Sequence, residues 1–222
     1  MKKILLIAAM FLSFGTMMAQ EQKEEMKGEV KQDPIALAAQ LSRYGYANQS
    51  PMALVQAAQI VLDNGIQQRA IEGRQGTAHQ AVAADKKSGH ISLDAAQLLK
   101  DARELAGKDK TMLSVIQRVE ENQAQRGRVN GPYYDTDICR ANSSVTYRLN
   151  FRGGELARAV CSGDGDTDLD MYVYDENDNF ITKDDDYTDD CVCTWNPKWT
   201  GIFRIVIRNR GNVYNEYVFA TN

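Results

Sequence analysis

The chain has 222 residues, 43% of them hydrophobic and 25% charged, and a formal net charge of −4. The charge is uneven: residues 133–222 hold 16 acidic and 9 basic side chains, a net of −7, while residues 20–132 hold 14 and 15, a net of +1. A half this acidic repels phosphate backbones, which argues against nucleic acid as a partner.

The start of the chain reads as a secretory signal. Lys2 and Lys3 precede an apolar stretch from Ile4 to Phe14, and Thr16-Met17-Met18-Ala19 is a small-residue exit. Cleavage after Ala19 places the mature protein in the periplasm or outside the cell. The apolar run falls short of the roughly 20 residues a membrane helix needs, so no span is expected in the mature chain. Residues 20–32, rich in Glu, Lys and Gln, read as a flexible leader.

From Asp33 to residue 126 the apolar period is helical. Asp33-Pro34 is a cap and first-turn pair, with Leu37, Leu41 and Tyr44 on one face. Ser50-Pro51 repeats the device before Leu54, Ala57, Ala58, Val61 and Leu62, ending at Asn64-Gly65. A third helix starts at Ser92 and buries Ala95, Leu98, Ala102 and Leu105; a fourth, capped by Asp109, buries Met112, Val115, Ile116 and Val119. Four such stripes predict a helical bundle or two helical hairpins. Residues 65–91 form a long loop between the pairs, with a short helix around Ala78–Ala84 and with His79 and His90 as solvated residues. The alanine-lined faces serve packing or, alternatively, a partner groove.

Residues 127–132 are a linker, and beyond them the period becomes two. Val145, Tyr147, Leu149 and Phe151 alternate with polar neighbours, and further strands follow at Leu156–Cys161, Leu169–Tyr174, Cys191–Trp195, Ile202–Arg208 and Tyr214–Ala220. The fold class is therefore α+β in two domains: a helical domain over 33–126, then an antiparallel β-sandwich over 133–222. All four cysteines, Cys139, Cys161, Cys191 and Cys193, lie in the sandwich, and an exported chain would pair them as two disulfides. Cys191 and Cys193 share one face of a strand and are unsuited to each other. Two pairings remain: Cys139 with Cys191 and Cys161 with Cys193, or Cys139 with Cys193 and Cys161 with Cys191.

Three stretches in order, Gly163-Asp164-Gly165-Asp166-Thr167-Asp168-Leu169-Asp170-Met171-Tyr172-Val173-Tyr174, Trp199-Thr200-Gly201-Ile202-Phe203-Arg204-Ile205-Val206-Ile207 and Gly211-Asn212-Val213-Tyr214-Asn215-Glu216-Tyr217, resemble the pre-peptidase C-terminal domain of secreted bacterial peptidases. The resemblance covers about residues 140–221. It implies a jelly-roll-like sandwich, placement outside the cytoplasm, and an accessory or binding role; relatives in secreted collagenases bind calcium and matrix protein.

Read on its own terms, the strand after Asp168 turns Leu169, Met171 and Val173 inward and Asp168, Asp170, Tyr172 and Tyr174 outward. Crowded carboxylates favour a cation, and Asp164, Asp166, Asp168, Asp184 and Asp186 are the expected calcium ligands. Asp170, Tyr172, Tyr174 and Tyr187 are the expected contacts to a protein or glycan surface. Trp195 and Trp199 read as core and turn anchors. No His-Glu-x-x-His helix or Gly-x-Ser-x-Gly elbow is present in the sequence. The expectation is an exported, non-enzymatic binding or scaffold protein; the alternative is a hydrolase accessory protein or an envelope chaperone or inhibitor acting through its helices.

Overall fold

The computed structural model describes residues 33–75, 89–123 and 131–222. The expected signal segment 1–19, the leader 20–32, the short helix at Ala78–Ala84, His79 and most of the linker lie outside the described residues.

Asp33 caps α1 (Pro34–Ala47) by accepting from the amides of Ile35 and Ala36, and Ser50 caps α2 (Pro51–Asn64). Helix α2 ends at Gly65, in the left-handed region with φ 61°. Asp94, rather than Ser92, caps α3 (Ala95–Ala106), and Asp109 accepts from the first amides of α4 (Lys110–Gln123). Helix α1 buries a different face from the expected one. Ile35, Ala36, Ala38, Ala39, Ser42 and Gly45 are inside, whereas Tyr44 is 57% exposed. Gly45 explains the choice, because a Cβ there would meet the side chain of Leu54: small residues let the two helices touch.

Ten strands lie among the described residues: β1 (Gln67–Gln68), β2 (Arg74–Gln75), β3 (Tyr133–Cys139), β4 (Ser144–Phe151), β5 (Ala157–Gly163), β6 (Leu169–Tyr174), β7 (Phe180–Asp184), β8 (Asp190–Trp195), β9 (Gly201–Asn209) and β10 (Asn215–Thr221). One sheet has the order β1-β3-β10-β5-β8 and the other β2-β4-β9-β6-β7. All pairings are antiparallel except β1 with β3. Between the sheets lie Tyr147, Phe151, Leu169, Met171, Val173, Phe203, Ile205, Ile207, Tyr217 and Phe219.

The middle of the first sheet is buried on both faces, while the edge strand β8 leaves Val192 and Thr194 exposed. Phe219 and Tyr217 face the second sheet, while Val218 and Ala220 on the same strand, with Val160 and Tyr134, join the core formed with the helices. The order is thus helices, first sheet, second sheet, with the α+β layout expected but a shared core between its two regions. The alanine-lined helical faces are consumed by this packing: Ala38, Ala39, Ala57 and Ala58 are fully buried.

The segment expected to be loop at 65–91 places one short strand in each sheet. Ile71, between them, is buried in the sandwich. From β2, Arg74 donates to Asp137, which also accepts from the hydroxyls of Tyr147 (3.0 Å) and Tyr217 (3.3 Å). The two hydroxyls lie 2.9 Å apart. This clasp closes one side of the sandwich with a charged pair whose carboxylate is satisfied by three donors.

Because helices and sandwich share a core, Val218→Ala is expected to destabilise both together by about 2 kcal/mol. Urea unfolding followed by far-ultraviolet dichroism and by tryptophan fluorescence will give coincident curves, both moved to lower denaturant.

Candidate functional site

The turn after β5 is where the sequence concentrates its carboxylates, and the structure turns several of them inward. Asp164 is 1% exposed; its Oδ1 accepts from the amide of Asp166 (3.1 Å) and its Oδ2 from that of Glu216 (2.8 Å). Asp189 accepts from the amide of Gly165 (2.5 Å) and the side-chain amide of Asn215 (2.9 Å). Gly163 is required here, since any Cβ would run into Asp189 and Asn215. Helix α1 docks on this turn. Arg43 donates to the Gly163 carbonyl (2.7 Å) and to Asp190 (2.6 Å), Gln40 also reaches Asp190 (3.1 Å), and Gly89 donates its amide to Asp166 (2.9 Å). At the other end of α1, Arg158 of β5 pairs with Asp33 at 2.7 Å. The acidic turn is therefore a mount for the helical layer.

This divides the five expected calcium ligands. Asp164 and Asp166 serve the mount. Asp184 accepts from the Val192 amide (2.8 Å), and Asp186 from the Thr188 amide (2.8 Å) and hydroxyl (2.5 Å). Asp168 keeps a buried Oδ1 without a hydrogen-bond partner, and its carboxyl is raised above the ordinary value by burial and then by the neighbouring Asp170 and Asp186 charges. Asp170, expected as an outward contact, is 1% exposed and paired with Arg210. Among the described residues no three His, Cys, Asp or Glu side chains are grouped to hold a metal ion, and the five expected calcium ligands are not gathered into one cluster.

Neither expected disulfide pairing is formed; all four cysteines are free and buried. Strand order supplies the reason. Both pairings require Cys139 on β3 to reach β8, three strand positions away in the first sheet, a span of about 14 Å. A disulfide tolerates a Cα separation of only about 7 Å. Cys161 and Cys191, one half of the second expected pairing, do stand opposite each other on β5 and β8, but both are free. Burial raises the thiol pKa of Cys139, Cys161 and Cys191, and brings Cys193 to about 12, so none is a thiolate at neutral pH.

The face that remains open is the outer side of the second sheet. Antiparallel register aligns Phe180, Tyr174, Arg204 and Arg148 as one rung across β7, β6, β9 and β4, and Lys183, Tyr172, Val206 and Thr146 as the next. Phe180 and Ile202 are 55% and 45% exposed, and Tyr172 and Tyr174 half-buried. The Arg204 guanidinium lies 4.2 Å over the Tyr174 ring and pairs with Asp178 at 2.9 Å. Sequence reasoning found the tyrosines by alternation. It missed the arginines, whose gathering on one face depends on β4 and β9 being neighbours. Tyr187, 98% exposed on the β7–β8 turn, is not part of the rungs.

Round the β7 end of this face, Phe180, Trp195, Pro197, Trp199 and Phe203 line a cleft of about 340 Å³. Trp195 is in the core as expected, and Trp199, 39% exposed, stacks on Phe203. His90 is exposed and packs edge-on against Tyr46.

No family model matches the chain, and no curated protein matches it. Among solved structures, it is similar to the pre-peptidase C-terminal domain of a collagenase from Bacillus anthracis, with a TM-score of 0.34 and 11% identity over 39% of this chain and 87% of that one. It is similar to a mitogen from Yersinia pseudotuberculosis (TM-score 0.34, 12% identity, 42% and 86% covered). It is also similar to PliG of Aeromonas hydrophila, a periplasmic inhibitor of g-type lysozyme (TM-score 0.33, 10% identity, 41% and 84% covered). Among the described residues no helix is long and apolar enough to cross a membrane.

Two outcomes follow from the carboxylates. Burial, outweighing its donors and Arg43, raises Asp189 from 3.8 to about 7. The folded chain thus holds this proton more tightly than the unfolded one. Its contribution is fully present below the ordinary carboxylate value and is lost as pH rises through about 7, a change of roughly 4 kcal/mol at most. The melting temperature will fall between pH 5 and 8 while the Asp189 carboxyl carbon titrates near 7 by NMR. Separately, Asp168→Asn will raise the melting temperature in EDTA by relieving repulsion from Asp170 and Asp186, and millimolar calcium will leave both proteins unshifted.

Proposed function

We propose that this is an exported, non-enzymatic binding or scaffold protein that meets a protein or glycan surface through the open face of its second sheet. The observation that carries this reading is the contrast between the two sheets. One has the outer side of its middle strands β5 and β10 buried against the helical layer, and the other presents an open outer face with Phe180, Tyr172, Tyr174 and Ile202 among polar and charged neighbours. Half-exposed aromatics on a rigid plate are the residues that dominate recognition surfaces.

The non-enzymatic reading draws support from the chemistry of the interior. The thiols are protonated and buried, and Asp164 and Asp189 hold backbone and side-chain amides in place of any reacting group. The alternative of a chaperone or inhibitor acting through alanine-lined helices loses its surface, because those alanines are inside. Export rests on the amino-terminal sequence, which matches a secretory signal in its charge, apolar length and small-residue exit.

The test is to screen the full-length mature protein against immobilised glycans and envelope proteins, then to repeat any binding with Tyr174→Ala and Tyr172→Ala. Loss of affinity by about tenfold in each, with dichroism unchanged, is expected. Binding that survives both substitutions, or turnover of a peptide or glycoside substrate, would sink the proposal.

A further inference from the structure

The half of the chain with net charge −7 gathers arginines on the one face it leaves open. Arg148 and Arg208 are exposed there and, among the described residues, neither forms an ion pair, whereas Arg204 is held by Asp178 and Lys183 by Asp185. Guanidinium groups are the preferred receptors for carboxylates because their forked donors match both oxygens. Two of them left without partners on an acidic protein ask for an anion from outside.

Register fixes their spacing. Arg148 stands opposite Arg204, and Arg208 is four residues further along β9, so the backbone positions of the two arginines are about 14 Å apart. The rung between them carries Val206 beside Tyr172, and the first rung carries Tyr174. Two anion receptors with Thr146 and Val206 between them and the Tyr172 ring beside Val206 describe a ligand that joins its carboxylates through a planar apolar face. Resting on the reading that this face binds a partner, we propose that its ligand is a carboxylate-bearing glycan. The acid groups go to Arg148 and Arg208, and the C–H face of an intervening sugar ring lies on Tyr172 and Val206, since the Tyr174 ring is already covered by Arg204.

An acidic peptide satisfies the arginines but leaves the rings unused, and peptides are usually held at sheet edges or in side-chain pockets, not across a flat sheet.

Titration calorimetry of the full-length mature protein at low salt decides the matter, with oligogalacturonate, a neutral β-glucan oligomer and poly-L-glutamate as probes. The proposal expects binding of oligogalacturonate that weakens roughly tenfold in Arg148→Gln and again in Arg208→Gln. It also expects weakening with salt and little change in a charge-matched control, Lys100→Gln on α3 with Lys108→Gln just after it. All four positions are exposed, so folding is expected to survive, and dichroism checks it. Poly-L-glutamate bound as tightly as the glycan, or oligogalacturonate binding unaffected by the arginine changes, overturns the inference. Neutral glucan binding that Tyr174→Ala removes overturns it too, while leaving the binding role of the face in place.

Discussion

The structure depends on the middle of one sheet being dry on both sides. Strands β3, β10 and β5 must offer apolar side chains in two directions at once, because the helices cannot bury their own faces and the second sheet needs a facing layer. Strand β10 meets the demand with Tyr217, Val218, Phe219 and Ala220 in unbroken succession, all fully buried. Helix α1 is then fastened to that sheet by Arg158 with Asp33 at one end and by Arg43 with Asp190 at the other. These pairs are partly buried and carry further hydrogen bonds to Gly163 and from Gln40, so they fix position as well as contributing energy.

The same arrangement explains what local pattern revealed and what it hid. Strands β4 and β9, open on one side, alternate cleanly and were readable residue by residue. Helices α2 and α4 were readable because their caps and large apolar residues agree. Helix α1 was not, since the close approach to α2 and the sheet selects Ala38, Ala39 and Gly45 over the bulkier Leu37 and Leu41, and hydrophobicity alone ranks those the other way. Strand β3 escaped notice because Asp135 and Asp137 interrupt its apolar residues. Asp137 is explained by Arg74, more than sixty residues away in sequence, and by the hydroxyls of Tyr147 and Tyr217 on other strands.

Charge proved harder to place than hydrophobicity. A run such as Asp164, Asp166, Asp168 and Asp170 reads as a cation site because nothing in its neighbourhood announces backbone amides, Asn215 or Arg43 as partners. Tyr172 and Tyr174 were placed on the open face correctly, because their orientation needs only the alternation of one strand. The arginines beside them come from two other strands, and no single stretch shows that they meet. The cysteines follow the same rule: spacing limits which can pair, but the order of strands decides it.

The clasp formed by β1, β2 and Arg74 has a consequence for any partner. A single short stretch contributes a strand to each sheet and carries a charged pair anchored on two tyrosine hydroxyls, so the sheets cannot slide or part without breaking ladder bonds and exposing that charge. Recognition on such a plate proceeds with its shape already set. Little conformational freedom remains to be lost, and discrimination among ligands falls to the match of side-chain spacing instead of to closure around the guest.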